Sequence, residues 1–143
     1  MPIARLNRGT LQLLARSRVE EAAVLLQNKF WTGAYYLTGL GVECALKSCL
    51  ARAVQQHDFP DKSFIVKAYT HKLEELARLD GELWVQLTDD IGVNPALRDN
   101  WNTMRQCDDE KRYGVVEEAE AKSLYSSATE PISGILEWIR RRW

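Results

Sequence analysis

Hydrophobic residues recur at steps of three and four along most of this sequence, which is the period of amphipathic α-helices. One such segment predicts a helix over residues 10–29, with Leu11, Ala15 and Ala22 on its apolar face. Residues 32–56 predict a longer helix that is apolar on nearly every side, the pattern of the central helix of a bundle. The alternating pattern and hairpin turns that indicate β-strands do not occur in the sequence.

Three glycines lie within this predicted central helix, namely Gly33, Gly39 and Gly41. Each costs about 1 kcal/mol of helix propensity relative to alanine. Because a glycine has no side chain, a neighbouring helix can approach it closely, and we interpret the three glycines as a packing surface. A kink near residues 39–41 is the alternative.

Proline, glycine and capping residues mark the predicted ends of the following helices. Pro60 predicts a break over residues 57–62, because proline cannot continue a helix. Thr70 is expected to cap a short helix that Gly81 ends. Residues 82–91 predict a further short helix.

The rest of the chain predicts two more helices. Asn94 followed by Pro95 predicts a helix start, since asparagine caps helices and proline favours their first position. A last helix is expected over residues 116–143, where Pro131 must kink it or split it in two. The core positions expected in these helices are Leu97, Trp101, Met104, Leu124, Ala128, Ile132, Ile135, Leu136 and Ile139. The sequence therefore predicts an all-α fold, an up-and-down bundle of four to five main helices that forms one domain over residues 1–143.

Composition and charge narrow the class of protein. The 143 residues are 45% hydrophobic and carry a formal net charge of −1, which argues against a protein that coats phosphate backbones. Cys44, Cys49 and Cys107 are odd in number and irregularly spaced, which favours reduced thiols and a cytoplasmic location over disulfides. The N-terminal residues lack the apolar stretch of a signal peptide, and charges within residues 34–54 argue against a membrane span.

Charge is nevertheless distributed unevenly. Residues 1–18 hold four arginines and no acidic residue, and residues 140–142 are three further arginines beside Trp143. Residues 108–120 hold six acidic residues. If the two arginine-rich segments meet in the bundle, they form a basic surface for RNA, a nucleotide or an acidic protein. A solvated rim with no ligand is the alternative.

Polar side chains of the central helix are the first candidates for a functional site. Tyr35, Tyr36, Glu43 and Lys47 lie among apolar neighbours. Glu43 precedes Lys47 by four residues, the favourable order for an ion pair along a helix. One interpretation is an ion pair at the rim of the core. The other is a polar notch that binds a phosphate group or a partner, since polar groups are costly to bury unless they are paired.

Three later residues are further candidates. His71 opens a predicted helix, where backbone N–H groups can hold an anion, and a structural hydrogen bond is the alternative role. Arg112 follows acidic residues 108–110 and can pair with them in a solvated turn. Tyr113 is expected to be a core aromatic residue with its hydroxyl group at the surface.

Motifs of several enzyme classes are absent from the sequence. It contains no glycine-rich phosphate loop, no dinucleotide-binding glycine motif and no nucleophile elbow. Its two histidines, His57 and His71, lie in no zinc-binding context, so we expect neither a metal nor a cofactor. The residues alone define no enzyme class.

Residues 33–48, GAYYLTGLGVECALKS, resemble the signature helix of HEPN-domain proteins, AYYLAGYAVECALKA. Residues 70–76 resemble the H-x-L-x-x-L segment of that family. Trp101 with Arg112 and Tyr113 resembles its W…RY element. The similarity covers nearly the whole chain.

The resemblance implies a helical bundle, usually a homodimer, in a bacterial or archaeal protein. Many members are partnered with a minimal nucleotidyltransferase in toxin–antitoxin or defence systems, and others bind nucleotides or cut RNA. The members that cut RNA carry an Arg-x4–6-His motif in a late helix. There the histidine would act as acid or base and the arginine would hold the phosphate.

This sequence departs from the family at that motif, because no histidine follows His71. We therefore expect a non-catalytic HEPN-like domain that binds a nucleotide or RNA, or that is the accessory partner of a minimal nucleotidyltransferase. The candidate binding residues are Tyr36, Glu43, Lys47, His71, Arg112 and Tyr113. One alternative is a metal-independent ribonuclease that uses Arg52 and His57, which match Arg-x4-His. A purely structural dimerisation module is the other.

Overall fold

The computed structural model describes residues 5–54 and 56–143, and every regular element that these residues form is helical. The elements in chain order are α1 (Arg8–Gln27), α2 (Trp31–Ala53), α3 (Lys62–Ala68), α4 (Leu73–Leu79), α5 (Gly81–Val93), α6 (Pro95–Met104), a 3-10 helix (Asp109–Tyr113), α7 (Glu118–Thr129) and α8 (Ile135–Arg140). Among these described elements, α1, α2, α5, α6 and α7 have ten or more residues each. The prediction of an all-α bundle with four to five main helices is therefore confirmed.

α1 and α2 form a tight antiparallel pair, because a three-residue connection reverses the chain. Two glycines of α2 face α1 in antiparallel order, with Gly33 beside Leu25 and Gly41 beside Val19, whereas Gly39 faces the Cys107 thiol. A Cβ atom added to Gly41 would lie 2.5 Å from the Val19 Cγ2 atom, which leaves no room for a side chain. The predicted packing of a neighbouring helix against the glycines is confirmed at Gly33 and Gly41. α2 is one continuous helix from Trp31 to Ala53, so residues 39–41 do not interrupt it.

α2 is the centre of the hydrophobic core, as its apolar sequence predicts. Thirteen of its twenty-three residues are buried, and a continuous cluster of buried side chains joins it to α1, α4, α5, α6, α7 and α8. The buried hydroxyl groups of Thr38 and Ser48 donate to carbonyl oxygens of the preceding turn, at 2.8 and 2.7 Å. These two buried hydroxyl groups are therefore satisfied within the helix itself.

The predicted start of α6 is confirmed, and so is its buried face. The Asn94 side chain accepts a hydrogen bond from the Leu97 N–H group, with Pro95 in the first helical position. Leu97, Trp101 and Met104 are buried, and the Trp101 ring meets the Trp84 ring edge to face at 6.3 Å.

The segment between α2 and α5 differs from the prediction in two ways. The predicted break is confirmed over residues 57–61, but α3 was not predicted; it begins at Lys62, because Asp61 caps it by accepting a hydrogen bond from the Phe64 N–H group. Thr70 does not cap the next helix. Its hydroxyl group accepts from the Lys72 N–H group and donates to Glu75, so α4 starts after Lys72.

The predicted last helix is split at Pro131, into α7 and α8. Ile132 was expected in the core, and that prediction is wrong because Ile132 lies in the turn after Pro131 and is 76% exposed. The turn is held instead by Ser133, whose carbonyl oxygen accepts a hydrogen bond from the Asn100 side chain at 2.8 Å. The other core positions predicted for these helices are buried.

The two arginine-rich segments of the chain meet at one end of the bundle. The guanidinium groups of Arg16 and Arg140 lie over the Trp143 ring, at 5.2 and 5.9 Å from its centroid. Arg52, at the end of α2, donates a hydrogen bond to the carbonyl oxygen of Arg142. No helix formed by the described residues combines the length and the apolar character needed to cross a membrane.

Candidate functional site

Four of the six predicted binding residues line one cleft, which lies between α2, the start of α4 and the 3-10 helix. Its cavity volume is about 50 Å³, whereas about 10–15 Å³ is enough to hold one water molecule. The enclosed part therefore admits a small polar group and not a whole nucleotide. The polar, aromatic and thiol side chains that line the cleft are Tyr35, Tyr36, Glu43, His71, Cys107, Asp108, Asp109 and Arg112.

Glu43 supplies the buried carboxylate of the cleft. Its Oε2 atom lies 3.4 Å from the Lys47 Nζ atom, and its Oε1 atom lies 2.8 Å from the His71 Nδ1 atom. The side chain of Glu43 is 10% exposed, whereas that of His71 is 54% exposed. The predicted ion pair at the rim of the core thus exists. Of the two residues, Glu43 lines the cleft and Lys47 does not, so the interpretation of the pair as a polar notch stays a prediction that concerns Glu43.

His71 reaches the cleft because it immediately precedes Lys72, the cap residue of α4. When its Nδ1 atom carries the proton, that N–H group donates to Glu43 and the Nε2 atom keeps a free lone pair. A carboxylate that fixes the tautomer of a histidine in this way is a common arrangement in binding and catalytic sites. The contact with Glu43 spans 28 residues of sequence.

Tyr35 and Cys107 form the hydrophobic side of the cleft. The Tyr35 hydroxyl oxygen accepts a hydrogen bond from the Asp108 N–H group at 3.0 Å, which ties the segment before the 3-10 helix to α2. Burial raises the pKa of Tyr35 above its ordinary value, so its hydroxyl group stays protonated. Burial likewise raises the pKa of the Cys107 thiol to about 11. The cleft therefore contains a neutral phenol and a neutral thiol at physiological pH.

Arg112 forms the outer, solvent-facing side of the cleft. Its guanidinium group lies over the Tyr113 ring, 4.9 Å from the centroid, and is fully exposed. The neighbouring hydroxyl groups of Tyr113 and Tyr36 raise the pKa of Arg112. Arg112 forms no ion pair with the other described residues, so the predicted pairing with acidic residues 108–110 is wrong. The Asp108 carboxylate instead accepts from the Glu110 N–H group and caps the 3-10 helix.

Tyr113 was expected in the core, and that prediction is wrong because the side chain is 82% exposed. It ends a short surface 3-10 helix, in which none of the residues is buried. The exposed Arg112 and Tyr113 and the half-buried Tyr36 form an aromatic and cationic platform beside the cleft, which we call the Tyr–Arg platform.

Arg52 and His57 are not joined by any contact among the described residues. The Arg52 guanidinium group is engaged with the Arg142 carbonyl oxygen. His57 is exposed and has a left-handed backbone, with φ of 74°. Gln55, which separates them in the motif, lies outside the described residues.

Sequence reasoning missed Cys107, Asp108 and Asp109 as residues of the site. It noted Tyr35 among the polar side chains of α2 but did not list it as a binding residue, although positions 35, 39 and 43 are four apart and lie on one face of the helix. The other three come from a segment that only tertiary packing brings to α2, with the Cys107 Sγ atom against Gly39.

The described residues offer no metal-binding group, in the sense of three or more His, Cys, Asp or Glu side chains around one point. No protein-family model, no curated protein and no solved structure matches this chain.

Proposed function

We propose that this chain is a non-catalytic HEPN-like domain that binds a nucleotide, either free or within single-stranded RNA, at the cleft and the Tyr–Arg platform. The observation that carries the proposal is the convergence of Tyr36, Glu43, His71 and Arg112 from three separate segments. The resemblance of residues 33–48 to the HEPN signature helix supports the same assignment.

The chemistry of the cleft suits a nucleotide. Arg112 has an exposed cationic group without an anionic partner among the described residues, and it is available to a phosphate group. Tyr36 and Tyr113 present aromatic rings on which a base can stack. Glu43 and Asp109 present carboxylates that accept hydrogen bonds from the amino groups of a base. The base edge or the phosphate fills the small cavity, and the remainder of the nucleotide lies on the Tyr–Arg platform.

Isothermal titration calorimetry with ATP, GTP and a short single-stranded RNA tests this proposal. We expect binding to weaken by about tenfold or more in Arg112→Ala, because a charge-assisted contact to phosphate is lost. Tyr113→Ala is expected to weaken binding to a similar degree, because base–aromatic stacking is worth about 1–3 kcal/mol per base.

Matched controls are available elsewhere on the surface. Arg98 on α6 and Tyr69 after α3 are also exposed and lie outside the cleft. Arg98→Ala and Tyr69→Ala should leave binding unchanged. Absence of heat at millimolar ligand, or equal losses in the controls and in the cleft variants, would contradict the proposal.

RNA cleavage is a second candidate function, and the hydrogen bond between Glu43 and His71 favours it. With Nδ1 held by Glu43, the Nε2 atom of His71 can accept the proton of a 2′-hydroxyl group. The 2′-oxygen would bond to phosphorus while the bond from phosphorus to the 5′-oxygen breaks, and water would protonate the leaving oxygen. Arg112 would stabilise the phosphate charge.

The two histidines allow the ribonuclease candidates to be separated. Metal-independent cleavage that disappears in His71→Ala and persists in His57→Ala would assign catalysis to the cleft. The opposite result would assign it to Arg52 and His57. Purified protein that cuts no RNA would leave the binding proposal as the function.

The accessory role beside a minimal nucleotidyltransferase remains a prediction of the family resemblance. Co-expression with the product of the neighbouring gene, followed by measurement of the mass of the purified complex, tests it directly.

A further inference from the structure

The cleft offers a ligand more hydrogen-bond acceptors than donors. Three carboxylates line it, those of Glu43, Asp108 and Asp109. With its Nδ1 proton donated to Glu43, His71 presents the Nε2 atom as a further acceptor. The donors among the lining side chains of the inner cleft are the Tyr35 hydroxyl group and the weakly donating Cys107 thiol. A ligand edge that enters the cleft must therefore supply donors.

Asp109 is the carboxylate that remains available to a ligand. Lys47 and His71 already engage the two oxygen atoms of Glu43. The Asp108 carboxylate caps the 3-10 helix. The side chain of Asp109 is half-buried, yet it forms no ion pair or hydrogen bond with the other described residues. A half-buried carboxylate of this kind gains from a ligand that donates hydrogen bonds to it.

The same carboxylates determine which part of a nucleotide enters the cleft. Burial raises the pKa of the Cys107 thiol, and the nearby negative charges of Asp108 and Asp109 contribute to that rise. Like charges repel, so a phosphate group is disfavoured beside this thiol. Arg112 lies three residues after Asp109 in the 3-10 helix, a spacing that places both on one face. The base therefore enters the cleft, while the phosphate lies outside at Arg112.

A carboxylate distinguishes the bases by the donors on their Watson–Crick edges. Guanine presents two adjacent donors there, the N1–H group and the 2-amino group, and the two oxygen atoms of a carboxylate accept both in a bidentate pair. In adenine and cytosine the amino group lies beside a ring nitrogen atom with a lone pair, which would face the second carboxylate oxygen. Uracil places a single N–H group between two carbonyl oxygens. A carboxylate that lacks other partners thus favours guanine.

We propose that the cleft binds the guanine base of a nucleotide, with the Asp109 carboxylate accepting from the N1–H group and the 2-amino group. This inference rests on the proposed nucleotide binding and adds the identity of the base. The cavity of about 50 Å³ admits the amino edge of the base. The ring plane stacks on the Tyr–Arg platform, and Arg112 binds the phosphate.

Titration calorimetry of the full, natural chain with guanosine, inosine and adenosine monophosphates tests the choice of base. The inosine compound differs from the guanosine compound only in lacking the 2-amino group. We expect it to bind about tenfold more weakly, and the adenosine compound more weakly still, because each leaves acceptors of Asp109 unpaired. Equal affinities would overturn the guanine assignment but not nucleotide binding, since contacts to phosphate and ring plane do not depend on the base. Absence of binding by all three would contradict both.

Asp109→Asn is the decisive variant, because it replaces one acceptor with a donor at nearly unchanged shape. The new amide N–H group would oppose the 2-amino group of guanine, whereas xanthine carries a carbonyl oxygen at that position. We expect the variant to lose its preference for guanosine monophosphate and to bind xanthosine monophosphate more tightly instead. This gain also shows that the variant is folded. A retained preference for guanosine monophosphate would overturn the proposal.

Glu110→Gln is the matched control, since Glu110 is an exposed carboxylate on the same 3-10 helix that does not line the cleft. It should keep the preference of the natural chain for guanosine over adenosine monophosphate. If Glu110→Gln and Asp109→Asn lost that preference equally, the assignment to Asp109 would be wrong.

A short oligoadenylate with one internal guanosine, compared with guanosine monophosphate, distinguishes the two sources of the base. Tighter binding of the oligonucleotide would support the proposal with single-stranded RNA as the ligand. Tighter binding of the mononucleotide would support it with a free nucleotide. An oligoadenylate without guanosine that binds as tightly as the one with guanosine would overturn the proposal.

Discussion

The contact between α1 and α2 and the cleft both depend on α2, yet different forces hold them. At the contact around Gly41, which we call the α1–α2 seam, backbone and aliphatic atoms of Ala15 and Val19 approach the glycine without a polar side chain. In the cleft, Glu43 is shared between an ammonium group and an imidazole ring. Gly41 and Glu43 are two residues apart, which places them about 200° apart around the helix. The residues of α2 that determine packing therefore lie on one side of the helix, and those that line the cleft lie on another. Substitutions on the first side should change the free energy of unfolding, and substitutions on the second should also change ligand affinity.

The largest effect on stability is expected at the seam. Gly41→Ala should lower the free energy of unfolding by about 2–3 kcal/mol, because the added methyl group overpacks a well-filled contact. Gly92→Ala is the matched control, since no atom lies within 4 Å of its added Cβ and Gly92 is also helical. The control should raise the free energy of unfolding by up to about 1 kcal/mol. Denaturant unfolding measures both, and equal values would mean that the seam is not close-packed.

The buried ion pair should rank second. Glu43→Ala is expected to lower the free energy of unfolding by about 2 kcal/mol, because Lys47 keeps its charge at a site that is only 20% exposed. Ligand binding at the cleft should be lost as well. Glu118 and Lys122 have the same spacing but are exposed, so Glu118→Ala should leave stability within experimental error. If Glu43→Ala and Glu118→Ala lowered the free energy of unfolding equally, burial of the pair between Glu43 and Lys47 would not contribute to its effect on stability.

A smaller effect is expected for the hydroxyl group of Tyr35. Tyr35→Phe leaves the Asp108 N–H group without its acceptor, at a cost of about 1 kcal/mol. Because that bond holds the segment that carries Arg112, ligand affinity should fall more than stability. Tyr125→Phe is the control, since the Tyr125 hydroxyl group bonds no other described residue. Titration calorimetry and thermal unfolding of both variants would distinguish positioning of the cleft from simple packing.

The reactivity of the thiol groups should distinguish the cleft from the closed core, in an experiment at neutral pH that needs no substitution. Burial raises the pKa of both Cys49 and Cys107 from 9.0 to about 11, so the thiolate fraction of each falls about a hundredfold at pH 8. Only Cys107 lines the cleft, whereas Cys49 is fully buried. Iodoacetamide should therefore modify Cys107 first, faster as pH rises toward 11 and more slowly with ligand bound. Peptide mass spectrometry identifies the modified residue, and initial modification of Cys49 would contradict the assignment.

The raised pKa values of Cys49 and Cys107 also determine how the free energy of unfolding changes with pH in alkaline solution. The folded state keeps these thiols protonated after the unfolded chain has lost its protons, so the folded state binds more protons above pH 9. The free energy of unfolding should accordingly decrease from about pH 9 to pH 11. Well below pH 9 these thiols are protonated in both the folded and the unfolded state. The free energy of unfolding should then not change with pH on their account. Urea unfolding at pH 8 and pH 10.5 measures the difference.

Features governed by local sequence could be predicted, whereas those governed by distant contacts could not. Asn94 and Pro95 determine the start of α6 through groups within one helical turn, and the prediction was correct. α3 was missed because Pro60 indicated a break, while the cap by Asp61 lies one residue beyond it. Ile132 continues a helical spacing across Pro131, but the chain turns there and exposes the side chain.

The same division applies to the cleft. Glu43 and Tyr36 stand out among the apolar residues of α2, so the sequence alone identified them as candidates. The hydrogen bond from His71 to Glu43 joins residues 28 positions apart, and no sequence spacing predicts it. Tyr113 was misplaced because a five-residue 3-10 helix is too short to show an apolar stripe. The identity of the polar residues was therefore predictable, but their convergence was not.

The short connection between α1 and α2 also has a consequence for the order of folding. Bringing these two helices together closes a loop of only three residues, at little cost in chain entropy. We expect this helical hairpin to be formed in the transition state, ahead of α8, whose turn depends on Asn100 from a distant segment. Gly41→Ala should then mainly slow refolding, whereas Asn100→Ala should mainly accelerate unfolding. Stopped-flow kinetics of the two variants would reveal which helices assemble first.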